Sequence, residues 1–393
     1  MYCTVLYEFH HCRLVCRTEG ELSAGAGACY RSMVTSSDTS EPDAKTAKIE
    51  DTMTRWVWPR RFSPQVMMRI LSPSIHSGHL TNHGPCAQRL EAEAAERLKI
   101  TKHKVVACAS GCAALHALVA TYKMSGYDLS NGILVSAFGF PPILQQNWAN
   151  YIMTDIDPVH AGPVLPTDGS VPSAVCVVNP FGYRVDCDYY RQYCDKHNIP
   201  LWMDNAACPY HLMPDGSNLS DMADASIISL HETKAIGRGE GGLLLVKPEM
   251  AKTAFRAINF GYDPEVPPVD RADSWHLEAA NWRMSDIAAA AVLMSWELNW
   301  DTITAYHAEH DHEIFDMEMF KRGTKGSLYT CRMEPRQEVP DKDFEIKRYY
   351  YPLCGRDKAP VAWEYYDRMQ CRPFHPPGGP CPYDGRWDEG KAV

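Results

Sequence analysis

Four short stretches of this 393-residue chain combine residue types that do chemistry. The first is Ser229-Leu230-His231-Glu232-Thr233-Lys234, followed by Gly237-Arg238-Gly239-Glu240-Gly241-Gly242. A lysine just past an apolar run and bordered by a glycine-rich loop suits an amine that must shed its proton and reach a ligand. A solvated loop lysine is the plain alternative. His231 suits orientation or proton relay, with a satisfied structural histidine as the plainer reading. The second stretch is Leu201-Trp202-Met203-Asp204-Asn205-Ala206-Ala207. An acidic residue directly after a buried strand must find a partner, because an unpaired charge there is costly. A pyridinium N–H is one partner, and a helix N-terminus capped by Asp204 is another. The third is Ser110-Gly111-Cys112-Ala113-Ala114-Leu115. Small residues at a strand-to-helix turn expose backbone N–H groups to a phosphate, or simply allow close packing. The fourth, Phe138-Gly139-Phe140, offers a ring to stack on a planar group, or two core residues.

These stretches need a scaffold that brings strand ends together, and the apolar pattern predicts one. Buried strands are expected at Lys104 to Cys108, Ile133 to Ser136, Ala174 to Val178, Leu201 to Met203, Ala225 to Ser229 and Leu243 to Val246. Helices are expected around Gln88 to Leu98, Ala113 to Tyr122 and Arg191 to His197. This alternation predicts an α/β fold, a mainly parallel sheet with helices on both faces, over residues 61–265. Ligands of such sheets sit beyond the carboxyl ends of the strands. After the proline-rich Asp263 to Pro268, a long helix from Ser285 to Leu298 and further elements including Phe344 to Tyr351 suggest a smaller α+β domain over residues 266–393. Its tail from Pro376 reads as irregular. Residues 1–60 lack periodicity and read as a disordered extension, or as sequence ahead of a later start at Met33 or Met53.

Composition narrows the classes. A formal charge of −10 argues against a protein that coats nucleic acid. An anionic small molecule would need a local positive pocket. The fifteen cysteines form no CxxC pair and no metal-ligand set, which fits reduced thiols in the cytoplasm. No long uninterrupted apolar run predicts a membrane span.

In order and spacing, these motifs resemble the DegT/DnrJ/EryC1/StrS family of sugar aminotransferases, which depend on pyridoxal 5'-phosphate (PLP) and have fold type I. The similarity runs from about Ser77 to Pro376. Ser110 to Leu115 is similar to the family's SGTAAL phosphate turn, and Ser229 to Lys234 with Gly239 to Gly242 to its SFHETK…GEGG signature. The resemblance implies that Lys234 carries the cofactor covalently and that Asp204 meets its ring nitrogen. It also implies that Gly111, Cys112 and Ser229 hold its phosphate and that Phe140 stacks on its ring. Asn281-Trp282-Arg283-Met284-Ser285-Asp286 is similar to a stretch that, in the family, reaches the cofactor phosphate of a neighbouring subunit, so a homodimer with shared sites is expected. Lys347 to Pro352 and Arg372 to His375 resemble the family's C-terminal landmarks. His231, Arg283 and Tyr350 are the residues expected at the substrate. The implied reaction moves an amino group from an amino acid, glutamate by analogy, to C4 of a nucleotide-linked keto-deoxysugar. Three departures stand out. Cys112 replaces the usual Thr, Ala207 stands where the family often has Gln, and Asn179-Pro180-Phe181-Gly182 replaces a His-containing loop. The retained Lys234 fits a transaminase, since dehydratase relatives carry His there. A fold-type-I enzyme of amino-acid metabolism and a PLP-free binding protein are the competing classes.

Overall fold

A computed structural model describes residues 56–375, apart from 59, 146–148, 180–184, 214, 264, 268–269, 271–274, 311–326 and 339–342. The expected irregular tail from Pro376, and the expected extension up to residue 55, lie outside the described residues. Of the described positions of that extension, Trp56, Trp58 and Arg60 are buried and Val57 is exposed.

Seven strands form the central sheet: β1 (Lys104–Cys108), β2 (Ile133–Ser136), β3 (Tyr151–Thr154), β4 (Ala174–Val178), β5 (Leu201–Asp204), β6 (Ala225–Ser229) and β7 (Gly242–Val246). Their order is β1-β7-β6-β5-β4-β2-β3. The pairings from β3 to β6 are parallel, and β7 runs antiparallel to both β1 and β6. Two antiparallel steps leave β1 parallel to β6. The carboxyl ends of β1, β2, β4, β5 and β6 therefore share one edge, where β7 begins. The expected mainly parallel sheet is the one observed.

Alternation along each strand sends side chains to opposite faces. Leu243 and Leu245 of β7 join Val105, Ala107 and Ile228 in a core with α1 (Pro64–Ser77), α2 (Pro85–Arg97) and α6 (Asp286–His310). Leu244 and Val246 join Val106, Cys108 and Ile227 in a core with α3 (Gly111–Met124) and α5 (Ala251–Ala257). A further core seats α4 (Cys187–His197) on β4 and β5. A two-stranded antiparallel sheet, β8 (Cys331–Pro335) with β9 (Met369–Pro373), packs with α7 (Pro360–Arg368).

Helix starts follow local rules. Ser110 caps α3, its Oγ accepting the Ala113 N–H at 3.0 Å. Ser63 caps α1 ahead of Pro64, and Gly78 ends that helix with φ +71°. Two expectations change. Helix α1 was not anticipated, because Pro73 lies inside it. Phe344 to Tyr351 is not a regular element. It meets β9 at Lys347, in two hydrogen bonds with Cys371 of 3.0 and 2.7 Å, and at Phe344, whose ring lies under the Arg372 guanidinium. Beyond Lys347, Tyr350 is buried against Phe138, Tyr349 is half-buried and Tyr351 is exposed. Every described cysteine is free, and all are buried except Cys112 and Cys354. No described helix is long and apolar enough to cross a membrane.

Candidate active site

The shared strand edge collects the chemistry. Ladder register sets Cys108 and Ser229 on either side of Gly242, and Asp204 beside Ile227, two residues before Ser229. The helix following β1 packs directly on this row. A Cβ on Gly111 would lie 2.9 Å from the Ser229 Cβ, and one on Gly242 only 2.2 Å from the Ser110 carbonyl oxygen. Glycine is required at both places by close approach. The start of α3 thus faces the Ser229 hydroxyl, and its first N–H groups, those of Gly111 and Cys112, have no intrahelical acceptor. Backbone donors, a positive dipole end and a hydroxyl converge there, as a phosphate dianion requires.

Asp204 ends β5 and is 4% exposed. Among the described residues the one hydrogen bond to its carboxylate comes from the Ala206 N–H, 2.9 Å from Oδ1. No helix starts after it, so the helix-cap alternative does not apply. Burial pushes its carboxyl upward, while the Ala206 N–H and the Lys234 charge pull it down. A buried carboxylate with so few partners fits a cationic ring N–H.

Lys234 sits in a loop tied at every turn. Its N–H donates to the His231 carbonyl at 2.8 Å, and its own carbonyl accepts from Gly237 at 3.1 Å and from the Arg60 guanidinium. Across the loop, Leu230 N–H meets Gly241 O and Glu232 N–H meets Gly239 O, both at 2.8 Å. Arg238 holds the Glu232 carboxylate at 2.7 Å. Burial lowers the Lys234 ammonium pKa below its usual value, against the raising effect of Asp204. This favours the free amine that covalent chemistry requires.

The remaining expected residues divide. Cys112 is exposed beside this group, its thiol pushed up by partial burial and then by Asp204 and Glu240. Phe138 is core, whereas Phe140 is 49% exposed and so is not a core residue. The Phe140 ring lies 6.2 Å from that of Tyr350, whose hydroxyl is held protonated by burial and by Asp204. His231 finds its partners within the loop: Thr233 Oγ1 at 2.9 Å and Glu240 at 3.4 Å. Asn281 and Arg283 make no hydrogen bond or ion pair with Lys234 among the described residues. They bond to each other at 3.0 Å, bridge to Asn259 and to Cys108 respectively, and Arg283 lines a separate cavity of ≈ 650 Å³ with His83 and Phe260.

Two contributors had no role assigned from sequence. A buried amide chain runs from Asn179 to Asn205 at 2.6 Å and on to Ser220 at 2.8 Å, fixing the backbone around Asp204. Arg60 backs the Lys234 loop. A basic pair after a tryptophan-rich stretch was its only sequence signal.

Comparison with known proteins agrees with this geometry. The model of the DegT/DnrJ/EryC1/StrS aminotransferase family matches residues 67–299, more than half of the chain. A GDP-perosamine synthase from Vibrio cholerae is 26% identical over 298 residues, covering 71% of this chain and 76% of the relative. A dTDP-4-amino-4,6-dideoxy-D-glucose transaminase from Shigella dysenteriae is 26% identical over 330 residues, covering 75% and 86%. Among solved structures, a DegT/DnrJ/EryC1/StrS aminotransferase from Brucella abortus superposes with a TM-score of 0.64 at 18% identity, covering 79% of this chain and 91% of that one. That likeness shows the fold. The chain belongs to the DegT/DnrJ/EryC1/StrS aminotransferase family.

Proposed function

We propose that this protein carries PLP on Lys234 and transfers an amino group from an amino acid, glutamate by family analogy, to C4 of a nucleotide-linked keto-deoxysugar. One observation carries the reading. A partly buried lysine of lowered pKa stands at the same sheet edge as a buried, under-partnered aspartate and a helix start that faces a serine. These groups match the aldehyde, ring nitrogen and phosphate of PLP. The two curated relatives are named for sugar-nucleotide products, and one name places the amino group on C4.

When bound, PLP supplies a carbonyl that stores the amino group and a ring that withdraws electrons from the bond being broken. The chain supplies the rest. The N–H groups of Gly111 and Cys112 and the Ser229 hydroxyl hold the phosphate, and Asp204 keeps a proton on the ring nitrogen. The exposed Phe140 ring would be available to stack on the cofactor. The Lys234 amine would take a proton from the donor Cα as general base and return it as general acid. Arg283 offers a cation to a sugar nucleotide, and His231 and Tyr350 line its approach.

Absorption spectra with PLP, before and after borohydride, followed by peptide mass mapping, test this reading. A reducible chromophore fixed on Lys234, absent in Lys234→Ala, is expected, together with loss of amino transfer in that variant. A chromophore on another residue, or none, would overturn it.

A further inference from the structure

The residues just ahead of α1 form a strap outside the segment matched by the family model. Trp56 donates its backbone N–H to Glu345 at 2.8 Å, and Trp58 stacks on His375 with ring centroids 6.0 Å apart. The Arg61 backbone is gripped by the Asn299 side chain of α6, at 2.9 and 3.2 Å. Between these anchors Arg60 turns inward and is 5% exposed. Its Nη2 donates to the carbonyl oxygen of Lys234 and, at 3.5 Å, to that of Glu232. Among the described residues, its Nε and Nη1 are buried without a hydrogen-bond partner.

That arrangement is expensive. A buried cation with unmet donors is worse for stability than an apolar side chain of similar volume. Packing alone would not select it. What the guanidinium does achieve is specific. The Gly237 N–H already reaches the Lys234 carbonyl, and Arg60 adds a second donor, while the Lys234 N–H is held by His231. Both backbone ends of Lys234 are therefore fixed, and only the side chain is left to move.

We propose that Arg60 is a positioning residue for Lys234, holding the backbone of its loop so that the amine meets the cofactor aldehyde in one geometry. The assignment rests on Lys234 being the attachment point. Arg60 touches no reacting atom and acts through the peptide it holds.

The test compares wild type, Arg60→Met and Arg60→Lys, each freed of cofactor and mixed with PLP. The rate of covalent attachment is followed by absorbance, and melting temperature is measured without PLP. Displacement of a reacting group by about an ångström lowers rates by up to roughly a hundredfold. Arg60→Met should attach PLP roughly ten- to a hundredfold more slowly, with a melting temperature equal to or above wild type. Arg60→Lys, which keeps one donor, should fall between them. Attachment by both variants at the wild-type rate overturns the proposal. So does failure of both to fold, which would make Arg60 a residue of stability alone. Failure of wild type itself to attach PLP at Lys234 would instead remove the proposed function on which this inference stands.

Discussion

A single lysine and a single aspartate set the electrostatic character of the strand edge, and they pull in opposite directions. Burial lowers the Lys234 pKa and raises that of Asp204, while each charge favours the other. For the lysine, burial wins. The native chain then releases the Lys234 proton at a pH where the unfolded chain, with an ordinary lysine value of 10.5, still holds it. Between those two values the unfolded state binds more protons, so stability rises with pH in that window. Below both values, the protonated amine remains a fixed destabilising contribution. Melting the cofactor-free protein from neutral to alkaline pH should therefore show an upward component that Lys234→Met lacks. The attachment rate of PLP should also climb with pH and level off below 10.5, once the amine is free. Parallel melting curves for the two proteins would show that Lys234 titrates as an ordinary exposed lysine.

At the scale of elements, one remote side chain does the work of a helix cap. Helix α2 starts at Gly84 and Pro85 and has no side-chain cap of its own. The Asp286 carboxylate, at the start of α6 and fully buried, accepts the N–H groups of Cys86 at 2.8 Å and Ala87 at 3.2 Å and the Ser74 hydroxyl. Replacing Asp286 with Ala would strand three buried donors and untie α1, α2 and α6. A loss of about 2–4 kcal/mol in urea unfolding is expected from such groups; a loss under 0.5 kcal/mol would mean that water or neighbours satisfy them. This contact also marks the limit of what the sequence reveals. Strands such as Ala174–Val178 were legible because both faces are buried and the apolar run is continuous. The motifs of Lys234, Asp204 and Ser110 were legible because each lies at or just after the carboxyl end of a strand. Helix α1 was not, since Pro73 breaks its pattern. Neither were Asp286 as a cap or Arg60 as a clamp, whose partners lie about 200 and 170 residues away and leave no local periodicity. Strands β8 and β9 were hidden for the same reason, since their short mixed sequences become strands only by pairing across the chain.

For the whole molecule, the placement of Asn281 and Arg283 is the telling feature. Both belong to a motif expected at a cofactor site, yet the Arg283 guanidinium lies over the Phe260 ring and its Nε donates to Asn281 Oδ1. Nearby, Trp275 is 60% exposed and Leu277 is 99% exposed, an apolar surface of the kind that marks interaction sites. If Arg283 serves the partner's site, two defects placed on different chains become separable. Lys234→Ala destroys the site in its own subunit, and Arg283→Ala damages the site across the interface. A mixed dimer then holds one site with both defects and one with neither. Random reassociation of equal amounts makes about half the dimers mixed, so about a quarter of wild-type amino transfer should return from two nearly inactive proteins. Coexpression with different affinity tags, followed by isolation of the doubly tagged species, should raise that to about half. If the doubly tagged dimer forms but stays as inactive as its parents, Arg283 acts within its own subunit and each site is complete in one chain.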